Sequence, residues 1–234
     1  MSTLAQFRTI VSAVIGTDST AAGTEEGLID KWVNDAVLNF LLQTHCNVNK
    51  GTITLTAGEN DYDVGTAVMA IQDVAYQAAA ATGPARFSRT SPENILRMRE
   101  ATGSVASVVS HYALNGNSMM MLFPTPTAAD VVTFYYVPRP TAMSSASHDP
   151  SNETYGGIPA EYHEALEFYA MWKAADYADD ISSKVGMVYR QYYDDKVREF
   201  KRDIRRKGGR SLGRAFVGRR GVRPGNRSQD LGAW

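Results

Sequence analysis

The sequence predicts an α+β fold: a helical bundle of two N-terminal and two C-terminal helices, an antiparallel β module inserted between them, and a flexible basic C-terminal tail. Three observations carry this. Apolar residues recur at helical spacing before residue 48 and again over 158–207, while between them the period falls to two. Beyond Lys207 glycine and arginine dominate and periodicity ends. Helices flanking a block of strands point to a bundle with an insertion, rather than to alternating βα units. The organisation expected is residues 1–48 as N-terminal helices, 49–140 as the β module, 141–157 as a loop, 158–207 as C-terminal helices and 208–234 as tail.

The first helix opens at Thr3 with Gln6 three residues on, a capping-box pattern. Leu4, Phe7, Val11, Val14 and Ile15 then form its apolar stripe. Small polar residues from Gly16 to Gly23 read as a loop. Thr24-Glu25-Glu26 starts a second helix with acids at its positive end. Ile29, Trp32, Val33, Ala36, Val37, Phe40 and Leu41 keep one face apolar to about Thr44. Thr52 to Thr56 alternates polar and apolar, the signature of a half-buried strand, and Gly58 to Asp61 reads as a turn. Val68 to Tyr76 and Arg86 to Thr90 are further strands. Ser91 caps a short helix, with Pro92 at its first position, to Arg99. Val105 to Leu114 and Ser118 to Phe123 flank the hairpin signal Asn115-Gly116-Asn117, and Val131 to Val137 follows. These last three are expected to form a meander. Residues 138–157, rich in Pro, Ser, Asp, Asn and Gly, read as a long linker. Ile158, Tyr162, Ala165, Leu166, Tyr169 and Trp172 then mark one side of a helix. Val188, Tyr192, Val197, Phe200 and Ile204 are read as the stripe of the last one, which starts at Ser183. It ends in Lys207-Gly208-Gly209, basic residue then glycine stop.

Composition narrows the function. The chain has 234 residues, of which 44% are hydrophobic and 21% charged, ordinary globular usage that can supply a sizeable core. No run approaches the roughly 20 apolar residues of a membrane span, and Met1 to Gln6 lacks the pattern of a signal peptide. A lone Cys46 rules out an intrachain disulfide and fits synthesis in a reducing cytoplasm. The net charge of −1 conceals an asymmetry. Residues 196–234 hold 13 Lys/Arg against 3 Asp/Glu, a balance of +10; residues 1–195 hold 11 against 22, a balance of −11. An acidic body with a basic end speaks of partners.

Catalytic signatures are missing. There is no P-loop and no GxGxxG. His163-Glu164-Ala165-Leu166-Glu167 resembles a zincin helix, but Glu167 stands where the second imidazole ligand must be. Its acids suit the first turn of a helix instead. Asp179-Asp180 and Asp194-Asp195 are adjacent, whereas acid–base pairs need opposed positions across a cleft. Met119-Met120-Met121 reads as strand core plus one surface methionine. The expectation is a protein that is not an enzyme and has no cofactor or metal.

The tail is more informative. Arg210, Arg214, Arg219, Arg220, Arg223 and Arg227 alternate with glycine, with Phe216 and Trp234 as aromatic anchors. Such a segment can bind nucleic-acid phosphates through counterion release. It can also dock along another protein and order on binding, with Arg and Trp as anchors. The protein-docking arm ranks first; a nucleic-acid-binding module is the alternative.

Several stretches together resemble the head–tail adaptor (connector) proteins of tailed bacteriophages. They are the helix Ile29-Asp30-Lys31-Trp32-Val33-Asn34-Asp35-Ala36, the run Met120-Met121-Leu122-Phe123-Pro124-Thr125-Pro126, the strand Val132 to Pro140, and Ile158-Pro159-Ala160-Glu161-Tyr162-His163-Glu164-Ala165-Leu166. A Tyr-rich last helix ending in a basic run completes the likeness. The resemblance implies a homo-oligomeric ring, usually of twelve copies, docked beneath the portal at the head–tail interface of the virion. It implies portal and downstream tail or nozzle proteins as partners, with DNA passing through the channel without sequence-specific binding.

Overall fold

Two backbone N–H groups at the start of the first helix, α1 (Leu4–Ile15), are bonded from outside it. The Leu4 and Ala5 amides, which have no intrahelical partner, donate to the carbonyls of His148 (2.9 Å) and Ala146 (3.2 Å). The Thr3 amide donates to Gln6 Oε1 (2.9 Å), so half of the expected capping box forms. The structure, a computed structural model, describes residues 2–15, 24–77, 87–102, 109–116, 118–177 and 183–207. In chain order the remaining elements are α2 (Thr24–Thr44), β1 (Asn49–Thr54), β2 (Asp61–Asp63), β3 (Val68–Gln77), β4 (Ser88–Arg89), α3 (Pro92–Thr102), β5 (His111–Asn115), β6 (Met119–Phe123), β7 (Val131–Pro138), α4 (His163–Tyr177) and α5 (Ser183–Lys207). Short 3-10 turns at Glu153–Tyr155 and Ala160–Tyr162 precede α4. The fold is α+β, as the sequence predicts.

Helices α1, α2, α4 and α5 share one core. Leu4, Phe7, Val33, Phe40, Leu166, Tyr193, Val197 and Phe200 are all buried in it. The Phe40 and Phe200 rings meet edge to face at 5.2 Å, and Tyr162 stands perpendicular to Phe200 at 4.6 Å, favoured arrangements for aromatic quadrupoles. Arg8 grips Asp30 in two parallel bonds of 2.8 and 2.7 Å and so ties α1 to α2. Met69 on β3 and Val137 on β7 enter the same core and attach the strands to the helices.

The strands form two sheets. One has the order β1-β7-β3, all antiparallel, with Thr52 opposite Thr133 and Val74 opposite Phe134. The other has the order β2-β6-β5-β4. They face each other across a second core of Leu55, Tyr62, Val74, Tyr76, Met120, Leu122, Val132 and Phe134. Helix α3 covers the outer side of the second sheet, where Ile95 meets Ala113 and Met121. Strand β6 is thus buried on both sides, which explains its unbroken apolar run. Met119 is the surface methionine, and Met120 and Met121 are buried. Gly51 lies under the Phe134 ring, where a Cβ would stand 2.5 Å from Cζ.

Two expectations are corrected, and two features come to light only in the structure. β5 and β6 form a hairpin through Gly116 (φ 67°), but β7 leaves for the other sheet, so the last three strands are not a meander. β2 was not foreseen; it pairs with β6, Tyr62 facing Met120. Residues 141–157 form a loop that packs on the helices: Met143 is buried, and Asn34 bonds both its carbonyl (3.0 Å) and its amide (2.7 Å). On α5 the buried side chains are Tyr193, Val197 and Phe200, whereas Val188, Tyr192 and Ile204 are exposed. The expected stripe there merges two different faces.

Candidate docking surfaces

The residues nearest to a catalytic motif are structural. His163 is buried; its Nδ1 accepts from the Ser2 amide (3.1 Å) and its Nε2–H donates to the Ile158 carbonyl (3.1 Å), which fixes the neutral tautomer. Burial holds its pKa below the ordinary value, against the opposing pull of the Ile158 carbonyl and the Asp149 carboxylate. Glu167 accepts from the Ser2 hydroxyl (3.4 Å) and is pushed up by burial. Among the described residues no group of three His, Cys, Asp or Glu side chains is placed to hold a metal ion.

Other buried polar groups brace the fold. The Tyr76 hydroxyl donates to the buried Asp130 carboxylate between the sheets, and burial, with that bond, pushes its pKa up to about 12. The Tyr162 hydroxyl donates to Asp203 (2.6 Å) and the Tyr193 hydroxyl to Asn39 (2.7 Å), pinning α5 to its neighbours. Arg99 Nη2 donates to the Asn60 (3.3 Å) and Leu122 (3.1 Å) carbonyls and pairs with Asp61, holding α3 on the second sheet. Asp195 pairs with Arg198 one turn on, so this carboxylate is part of a solvated helix face.

What the surface offers is faces. The outward side of the first sheet carries a row formed by Lys50, Tyr135 and Asp73 at matching register, with Tyr135 exposed. At the end of α4, Lys173 Nζ (4.1 Å) and the Arg190 guanidinium (5.0 Å) both lie over the Trp172 ring. A shallow groove between α4 and α5 is lined by Glu164, Phe168, Tyr192, Asp195, Lys196 and Glu199. Phe168 and Tyr192 touch at 5.2 Å, and Lys196 bridges Glu164 (2.9 Å) and Glu199 (3.4 Å). These faces were missed in the sequence. The signal available on α5 was Val185, Val188 and Tyr192 at i, i+3 and i+7, a second apolar line beside the core stripe. The predicted docking residues Arg210, Arg214, Phe216, Arg219, Arg220, Arg223, Arg227 and Trp234 lie outside the described residues.

The described residues thus form a body braced by internal polar bonds, with apolar and charged faces turned outward. The sequence model of the SU10 adaptor protein family matches residues 2–217, and the chain belongs to that family of phage head–tail adaptors. No curated protein matches the chain.

Proposed function

We propose that copies of the chain form a ring at the head–tail interface of the virion that docks on the portal, extends the DNA channel and presents the attachment platform for tail components. The family match over residues 2–217 carries this reading. Twelve copies is the number the resemblance implies. The acidic balance of residues 1–195 supports a channel wall that repels phosphates, so that DNA slides rather than sticks. Residues 49–140 act in the proposal as a module inserted in the bundle, in reach of a neighbouring copy or partner ring. The tail, at about 3.3 Å per extended residue, spans about 90 Å and reaches an adjoining ring. Its arginines meet carboxylates there in two-pronged geometry. Electron microscopy of the purified protein, alone and mixed with its portal, tests this. A closed ring stacked coaxially on the portal is expected; portal rings that stay bare contradict it.

One observation favours a second reading. Lys201 and Arg205 have no ion-pair partner among the described residues, and the sequence beyond them is rich in arginine, a composition that supports binding of nucleic acid. Salt-dependent binding of free DNA by the full chain, lost on removal of the tail, would support it.

A further inference from the structure

At the start of α4 the run His163-Glu164-Ala165-Leu166-Glu167 places its first and last members one turn apart, and both hold Ser2. The Ser2 amide donates to His163 Nδ1 (3.1 Å) and the Ser2 hydroxyl donates to Glu167 (3.4 Å). Leu4, fully buried, is the next anchor along the chain, with its amide on the His148 carbonyl (2.9 Å). Both nitrogens of the His163 ring are committed: Nδ1 accepts, and Nε2–H donates to the Ile158 carbonyl (3.1 Å). A further proton on this ring goes to Nδ1, where it faces the Ser2 N–H and ends that bond. The cation so formed has another partner at hand, because Asp149 Oδ1 lies 3.9 Å from Nε2.

We propose that His163 is an acid-sensitive catch for the start of the chain: as neutral imidazole it holds Ser2 on α4, and as imidazolium it turns to Asp149 and lets Ser2 and Thr3 go, with Leu4 still anchored. The surroundings of the ring set the direction. Burial is the strongest influence and disfavours the cation; Asp149 on the preceding loop and Glu161 in the turn favour it, and the α-amino group ahead of Ser2 opposes it. Phe7 of α1 brings an uncharged ring to 6.2 Å. The pKa of the closed form therefore lies below the ordinary 6.5. Releasing Ser2 opens the Nδ1 side to water and returns the ring towards that ordinary value. The closed form is accordingly favoured in full above about pH 6.5 and loses ground as pH falls below it. Glu167 pulls the other way. Burial, its main influence, raises its carboxyl pKa, and the Glu164 charge adds to that, while the Ser2 hydroxyl lowers it. Release exposes the carboxyl and lets it ionise, so through Glu167 acid favours the closed form. What opens is a few residues at the chain start, separate from unfolding of the core.

A nitroxide on Thr3→Cys in a full-length Cys46→Ser chain tests this by electron paramagnetic resonance. The ratio of mobile to immobile label measures opening, and helical circular dichroism of the same samples follows the core. One histidine freed from burial raises the ratio by up to about tenfold between about pH 7.5 and 5.5, with the helical signal constant. The same chain with His163→Asn keeps an Oδ1 acceptor for the Ser2 amide but cannot titrate, so its ratio should stay flat. With Glu167→Gln the opposing group is gone, and the rise should be steeper than in the parent. The proposal is overturned if the ratio stays level in both the parent and the Glu167→Gln chain, if His163→Asn responds as the parent does, or if mobility rises only together with loss of helix. Ser2→Pro serves where the asparagine chain fails to fold. It has no amide to give His163, so its label should be mobile at both ends of the range, and a label that stays immobile there would equally overturn the catch.

Discussion

Trp32 illustrates how one residue reports on the core. It is 9% exposed, belongs to the helical core, and its ring lies 5.6 Å from that of Tyr177. Trp32→Ala leaves a large void that the surrounding helices fill only in part, at a cost of about 3–5 kcal/mol. Urea denaturation should show this as a lower midpoint with an unchanged slope. His163 makes a different prediction. Its pKa in the folded state lies below the ordinary 6.5, so at acid pH the unfolded chain takes a proton that the folded chain refuses. Its contribution is therefore full above about pH 6.5 and is lost as pH falls below that, with a slope of at most about 1.4 kcal/mol per unit for one proton. Stability followed against pH in the wild type and in His163→Gln isolates the effect. A wild type that gains stability on acidification through this window would contradict the neutral assignment.

Among the elements, the segment 141–157 changes most between sequence and structure. Its composition reads as a linker, yet its carbonyls take the first amides of α1 and its Met143 backbone is held by Asn34 of α2. Asn34→Ala removes a donor and an acceptor from a partly buried site, so a loss of about 1–3 kcal/mol is expected. Limited proteolysis checks the same point. The wild-type loop should resist cleavage, and the variant should be cut near residues 144–157. Polar loops hide such docking because their partners lie far off in sequence; Asn34 and Met143 are 109 residues apart. The helices were more legible. α5 runs from Ser183 to Lys207 as its pattern predicts, since a helix bonds to itself and its period is local. Which of its faces is buried was not, because Val188 and Tyr192 are as apolar as Tyr193 and Val197. Strand pairing was hidden for the same reason as the loop. Alternation shows that a strand has one buried side, but not that Asn49 pairs with Tyr136, nor that β6 and β7 belong to different sheets. Asp61–Asp63 is too short to alternate visibly, and only Tyr62 betrays it.

At the scale of the whole molecule the charge asymmetry governs the last prediction. The final core side chain of α5 is Phe200, and the helix ends at Lys207, so truncation after Lys207 removes no part of the described core. The truncated chain should melt at the temperature of the full one. It does lose six arginines, Phe216 and Trp234. Seven glycines in the 27 residues removed make that segment costly to order, so its value must come from a partner surface rather than from the chain itself. Attachment to portal should therefore weaken markedly in the truncated protein while its fold stays intact. Salt separates two origins of the loss. Exposed charge pairs fade as the screening length shortens from about 10 Å at 0.1 M to about 3 Å at 1 M, whereas buried arginine pairs and apolar anchors are screened less. The full chain should accordingly keep part of its affinity for portal at high salt, and Phe216→Ala with Trp234→Ala should lose that residue of binding. A truncated chain that joins portal with unchanged affinity would remove the tail from the interface and return its arginines to nucleic acid.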